Sequence, residues 1–133
     1  MENTINYIKY GLAVTGAAIS TLLGGWDLSL CVLVVFVALD YVTGLAAAYT
    51  EQKLSSRVGF VGITKKIMLF VPIVMAFYID QITGQEVLRN LAIWFYAANE
   101  GLSVLENLGR IGVVVPGWLT TALEQLKNKG EKQ

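Results

Sequence analysis

Residues 88–116 read LRNLAIWFYAANEGLSVLENLGRIGVVVP. The stretch is apolar enough to lie in a membrane, yet its second half carries Asn99, Glu100, Ser103, Glu106 and Asn107. At 100° per residue those side chains, with Arg89, Tyr96 and Arg110, fall within about 120° of one helix face. Trp94, Ala97, Val104, Leu105 and Leu108 lie on the other side. A helix apolar on one side and hydrogen-bonding on the other needs two kinds of neighbour, and the rest of the chain must supply the polar one.

The composition narrows what those neighbours are. With 133 residues, 55% hydrophobic and 15% charged side chains and a mean hydropathy of +0.58, the chain is far more apolar than a soluble domain of its size. It reads as an integral membrane protein. Zero formal net charge and no basic cluster on a soluble segment argue against a nucleic-acid partner. The single cysteine, Cys31, lies in an apolar run, so no disulfide framework, CxxC or zinc pattern is present. Histidine is absent, which removes the commonest general base and metal ligand. No cofactor is expected.

Four segments are predicted to span the bilayer. The first, about 8–25, has a core from Gly11 to Gly24 only just long and apolar enough. Gly16, Ser20 and Gly24 recur every four residues, the small-xxx-small pattern of close helix approach. A cleaved signal peptide and an interfacial helix are the alternatives for this segment, and an interfacial helix would leave three spans. The second, 28–49, holds eleven Leu, Val and Phe residues. At about −0.3 to −0.6 kcal/mol each they outweigh the roughly +2.5 to +3.5 kcal/mol of the central Asp40. Gly44, Ala47 and Ala48 lie on the Asp40 side, so the polar face is also the narrow one.

Residues 50–66 hold Lys53, Arg57, Lys65 and Lys66 against Glu51 alone, which makes this loop cytoplasmic by the positive-inside rule. Ser55 or Ser56 can cap a short surface helix, and Gly59 and Gly62 are expected to loosen the chain before the next span. The third span, 66–83, contains Pro72, which should kink it. The fourth, 88–109, belongs to the opening stretch. Its eight Leu, Ile, Val and Phe residues up to Leu108 supply only about 2–5 kcal/mol, against about 3 for Glu100 alone. It requires a hydrogen-bonding partner, a water-filled cavity or protonation of Glu100. Gly112 and Pro116 should end it. Residues 117–128 form an amphipathic surface helix and 129–133 a charged tail.

The expected fold is therefore all-α: a single membrane-embedded helical bundle of four transmembrane helices, plus the C-terminal amphipathic helix. Nine of the ten Lys and Arg residues fall on the cytoplasmic side in this arrangement, with the C-terminus, and only Arg89 lies outside. Intramembrane acids invite a functional reading. Packing or lumen lining is favoured for Asp40, Glu100 and Glu106, because nothing nearby supplies a nucleophile and a substrate clamp. A small ion or solute transporter subunit is the other reading, since Asp40 and Glu100 near mid-membrane could bind a proton or sodium. The half-to-half similarity of many carriers is missing.

Several motifs in order carry a family resemblance. They are Asp40-Tyr-Val-Thr-Gly44; Ser55-Ser56 with Gly59, Gly62 and Lys65-Lys66; Asn99-Glu100 with Ser103, Leu105, Glu106 and Asn107; and Gly112 with Pro116. From about Val35 to Leu126 the chain resembles the toxin-secretion and phage-lysis holin family. The resemblance implies a non-enzymatic lysis protein of the host bacterial cytoplasmic membrane. Such a protein accumulates in the lipid bilayer, then associates as a homo-oligomer into lesions that release an endolysin or a toxin, with the endolysin a partner in function. Asn99, Glu100, Ser103, Glu106 and Asn107 become candidates for the oligomer or lumen face, with Asp40 and Gly44 as a second contact surface.

Overall fold

A computed structural model describes residues 1–131; the end of the charged tail lies outside them. Among the described residues the chain is six helices with no strand: α1 Glu2–Leu22, α2 Leu28–Thr50, α3 Ser56–Met68, α4 Phe70–Thr83, α5 Leu88–Ile111 and α6 Gly117–Glu131.

Helix α2 starts where Asp27 accepts a hydrogen bond from the Leu30 N–H at 2.9 Å. This N-cap satisfies a donor that the first helical turn leaves free. The Ser55 hydroxyl does the same for Val58 at 3.2 Å and starts α3. Helices α3 and α4 abut at Leu69 and run as one 28-residue rod, Ser56–Thr83. The interruption follows from Pro72, whose missing N–H leaves the Met68 carbonyl without its partner four residues on. The rod begins ten residues before the expected third span, so Lys65 and Lys66 lie on a helix rather than in a loop.

Helix α5 is the central element and packs against α2, α4 and α6. It runs parallel to α2, since Arg89 meets Asp27 at one end and Arg110 meets Glu51 at the other. The core is built from Leu23, Leu30, Leu33, Ile73, Ile93 and Ala97, with Phe36, Val37, Phe70 and Tyr96 packed around it. Helix α6 turns back along α5, so Leu123 lies on Gly101, and Gly130 on Phe95 and Leu91.

Two helices are long and apolar enough to cross a membrane: α2 and the α3–α4 rod. Their outward faces expose Val32, Val35, Leu39 and Val42 on the first and Phe60, Ile67, Val71, Met75 and Ile82 on the second. So much large apolar side chain turned outward has no place on a water-soluble surface. Helix α1 buries none of its residues. The expected Gly16-Ser20-Gly24 stripe stops short of its third member, because Gly24 lies beyond the helix end at φ +83°. Gly24 instead makes room for a close approach, since a Cβ there would come within 2.6 Å of Phe77 and 2.7 Å of the Arg89 Nε.

Candidate functional site: a charge ladder between α2, α3 and α5

The polar face of α5 is turned largely inward. Glu100 and Asn107, seven residues apart, lie on the same side of the helix, and both are buried. Asp40 of α2 is buried opposite them. From α3 the Lys66 ammonium donates to Asp40 Oδ2 and, at 2.6 Å, to Glu100 Oε2. Two carboxylates from two helices thus share one ammonium from a third. Helix α5 meets the requirement its composition sets, a hydrogen-bonding partner, through a residue whose surroundings in the sequence read as a loop.

The ladder continues down the α2–α5 seam. Asn107 Nδ2 donates to Asp40 Oδ1 at 2.8 Å and to Thr43 Oγ1 at 3.1 Å. Gly44 lies beside this amide, where a Cβ would meet the same nitrogen at 3.5 Å, in ordinary contact. Arg110 Nη1 donates to Asn107 Oδ1 at 3.2 Å, and its Nε and Nη2 form a fork on Glu51 at 2.9 and 2.7 Å. The Arg110 hydrogen bond, and then its charge, hold the Glu51 carboxyl below the ordinary glutamate range.

Other candidates stand differently. Asn99 and Ser103 are half-buried, and their side chains form no hydrogen bond among the described residues; Glu106 is exposed. Ser56 and Lys65 lie exposed on α3. Gly59 and Gly62 do not loosen the chain as expected. One turn apart within α3, they form a notch for Tyr41, whose hydroxyl donates to the Gly59 carbonyl at 3.4 Å. A Cβ at either glycine would lie 3.5 Å from Tyr41.

A second buried charge cluster closes the opposite end. The Leu88 and Arg89 N–H groups donate to Asp80 at 3.0 and 2.9 Å, so the end of α4 caps the start of α5. The Arg89 guanidinium donates to the carbonyls of Leu23 and Gly25 and to Asp27 Oδ2. Burial acts to raise the Asp27 carboxyl, but hydrogen bonds from Arg89 and Leu30, with the Arg89 charge, prevail and hold it below the usual aspartate range. Helical periodicity puts Arg89 on the polar face of α5 but gives it no partner. The signal available in the sequence is Asp80, placed where a chain reversal through Gly84 returns it to the next helix.

Apolar faces turned outward and charges paired inward across three helices are the build of a membrane-embedded helical protein. Residues 17–128 match the family model described as the bacteriophage holin family, and the chain belongs to that family. It is 33% identical over 102 residues to a probable holin of Bacillus phage phi105, covering 76% of each chain. It is 42% identical over 131 residues to an uncharacterized 14.9 kDa protein in the nagH 3′ region of Clostridium perfringens, covering 97% of this chain and 99% of that one. An uncharacterized Halalkalibacterium halodurans protein is 39% identical over 131 residues, covering 94% and 97%. No solved structure matches.

Proposed function

We propose that the chain acts as a phage-type holin: it is stored in the bacterial cytoplasmic membrane and then oligomerises into lesions that release an endolysin or a toxin. The observation that carries this reading is the hydrogen-bonded ladder of Asp40, Lys66, Glu100 and Asn107, in which one ammonium serves both acids. Helix α5 holds too much polarity to face lipid alone, and the ladder lets it be stored without doing so. Once neighbouring copies or water supply the same hydrogen bonds, the face carrying Glu100, Ser103 and Asn107 can turn outward as a contact or lumen surface. Asn99 and Glu106 flank that face, and Asp40 with Gly44 contributes the second one.

In this reading α1, α2, the α3–α4 rod and α5 all cross the membrane. The end bearing Glu51, Lys53 and Arg110 faces the cytoplasm and the Asp27–Asp80–Arg89 end faces outward, following the positive-inside rule. The docked α6 carries the chain's end back towards Arg89, so a cytoplasmic C-terminus belongs to the form in which α6 has left α5.

The test is induced expression in a bacterium with and without an endolysin. Sudden loss of viability is expected in both, with lysis only when the endolysin is present. Steady growth at high membrane levels would rule the function out.

A further inference from the structure

Helix α6 carries two unlike faces along its 15 residues. Leu119, Leu123, Leu126 and Gly130 turn towards α5 and are half-buried, whereas Thr121, Glu124, Gln125, Asn128 and Lys129 are exposed. Contact with α5 is close at two levels. At Gly101 a Cβ would lie 3.0 Å from Leu123, and at Gly130 a Cβ would come within 2.9 Å of Phe95 and 3.0 Å of the Leu91 carbonyl. The Lys129 ammonium lies 5.1 Å from the centre of the Trp94 ring, a favourable cation–π placement.

These contacts fix the depth of α6. Helix α5 has 24 residues, about 36 Å of rise against a hydrocarbon core of about 30 Å, and its midpoint falls between Asn99 and Glu100. Leu123 at Gly101 therefore places Glu124 near the middle of the bilayer. Gly130, beside Phe95 and Leu91, lies roughly 7–13 Å from that midpoint towards the Arg89 end. Docked on a membrane-spanning α5, α6 thus runs through the hydrocarbon layer with its polar face uncovered. Glu124 joins no ion pair among the described residues. A carboxylate and two amides at this depth are strongly disfavoured against lipid. The α5 surface beneath α6 has the opposite character: Leu91, Trp94, Phe95 and Gly101 are all compatible with lipid when α6 is away.

We infer that the outer face of α6 lines the aqueous lumen of the assembled lesion, with α6 docked on the α5 of its own chain. Water along Thr121, Glu124, Gln125 and Asn128 satisfies groups that lipid cannot. Meanwhile α2 and the α3–α4 rod keep their large apolar side chains outward, towards lipid. In the stored form, with lipid on every side, α6 leaves α5 and its C-terminus lies in the cytoplasm. The inference rests on the holin reading and requires no break among Asp40, Lys66 and Glu100.

The test uses full-length chains carrying Cys31→Ser and one new cysteine each. They are reconstituted in vesicles of phosphatidylethanolamine and phosphatidylglycerol at a density where an entrapped dye escapes. Gln125→Cys and Asn128→Cys report the outer face of α6, and Leu123→Cys and Leu126→Cys the face on α5. A charged, membrane-impermeant maleimide is expected to modify the outer pair about tenfold faster than the inner pair, since docked side chains react only when α6 opens. Adding Gly130→Leu, which overpacks the contact with Phe95 and Leu91, should erase the difference. Equal, fast modification at all four positions in leaking vesicles means an undocked α6, and slow modification at all four means an α6 away from water. Either result overturns the inference and leaves the holin function standing. Vesicles that retain the dye at every protein density count against the holin reading itself, and the lumen wall falls with it.

Discussion

The Lys66 ammonium lies 2.6 Å from Glu100 Oε2 while also donating to Asp40, so one cation from α3 holds the acids of α2 and α5 together. Its side chain is 20% exposed, and those of Asp40 and Glu100 are 9% and 7% exposed. Removing one member of a buried charge set leaves the others uncompensated, an effect of about 3–5 kcal/mol. Lys66→Met is therefore expected to lower stability by about that amount. Adding Asp40→Asn and Glu100→Gln to the same chain should restore most of it, because the amides no longer repel. Thermal unfolding of the purified protein in detergent measures both; equal damage in the single and triple variants would remove Lys66 from its bridging role.

The two acids are not equivalent. Asp40 accepts from both Lys66 and Asn107, whereas Glu100 accepts from Lys66. Glu100→Leu leaves a one-to-one Lys66–Asp40 pair, and the bundle should insert and accumulate normally while the onset of killing shifts. Asp40→Leu also removes the shortest hydrogen bond of the buried Asn107 amide, which keeps Thr43 as an acceptor, and is expected to destabilise by about 1 kcal/mol more. Membrane levels, melting temperature and time to loss of viability, compared at matched expression, separate the two. Unchanged timing in Glu100→Leu would take Glu100 out of the mechanism.

This asymmetry marks where sequence reasoning reaches and where it stops. Helix α2 is legible almost to its ends, since an apolar run around one aspartate has few other readings. Helix α5 is legible because its polar residues keep a helical period and Gly112 ends it. The rod is legible only in part: Ser55 caps a helix as its sequence suggests, but that this helix continues into the next span is not visible. Gly59, Gly62 and the Lys65-Lys66 pair carry the composition of a loop, and what makes them helical is tertiary: Tyr41 fills the glycine notch and Lys66 finds two acids. The polar face of α5 is visible in the sequence, but its partner lies 34 residues away on a segment with the composition of a surface turn.

The glycines give opposite outcomes for one substitution. At Gly62 a Cβ meets Tyr41 at 3.5 Å in ordinary contact, and alanine raises helix propensity, so Gly62→Ala should be neutral or stabilising by up to about 1 kcal/mol. At Gly24 the backbone lies at φ +83° and a Cβ would strike Phe77 and Arg89. Gly24→Ala should therefore lower the melting temperature and loosen the Arg89 cluster. The same direction of change at both positions would contradict this account.

Asp27 supplies a pH test with a defined sign. Its carboxyl titrates below its unfolded value of 3.8, so its charge stabilises the fold fully above that value. The contribution is lost as pH falls through the folded value. Asp27→Asn keeps an N-cap acceptor for the Leu30 N–H and removes only the charge facing Arg89. Because the Asp27 side chain is 47% exposed, solvent screening should keep the gap between wild type and variant at about 1 kcal/mol or less near neutral pH. The gap should hold down to about pH 4 and close below it, as the wild-type carboxyl takes up its proton and the two side chains become alike in charge. Melting temperatures of both chains across this range decide the matter. A gap that widens on acidification would mean that Asp27 is not held ionised by Arg89.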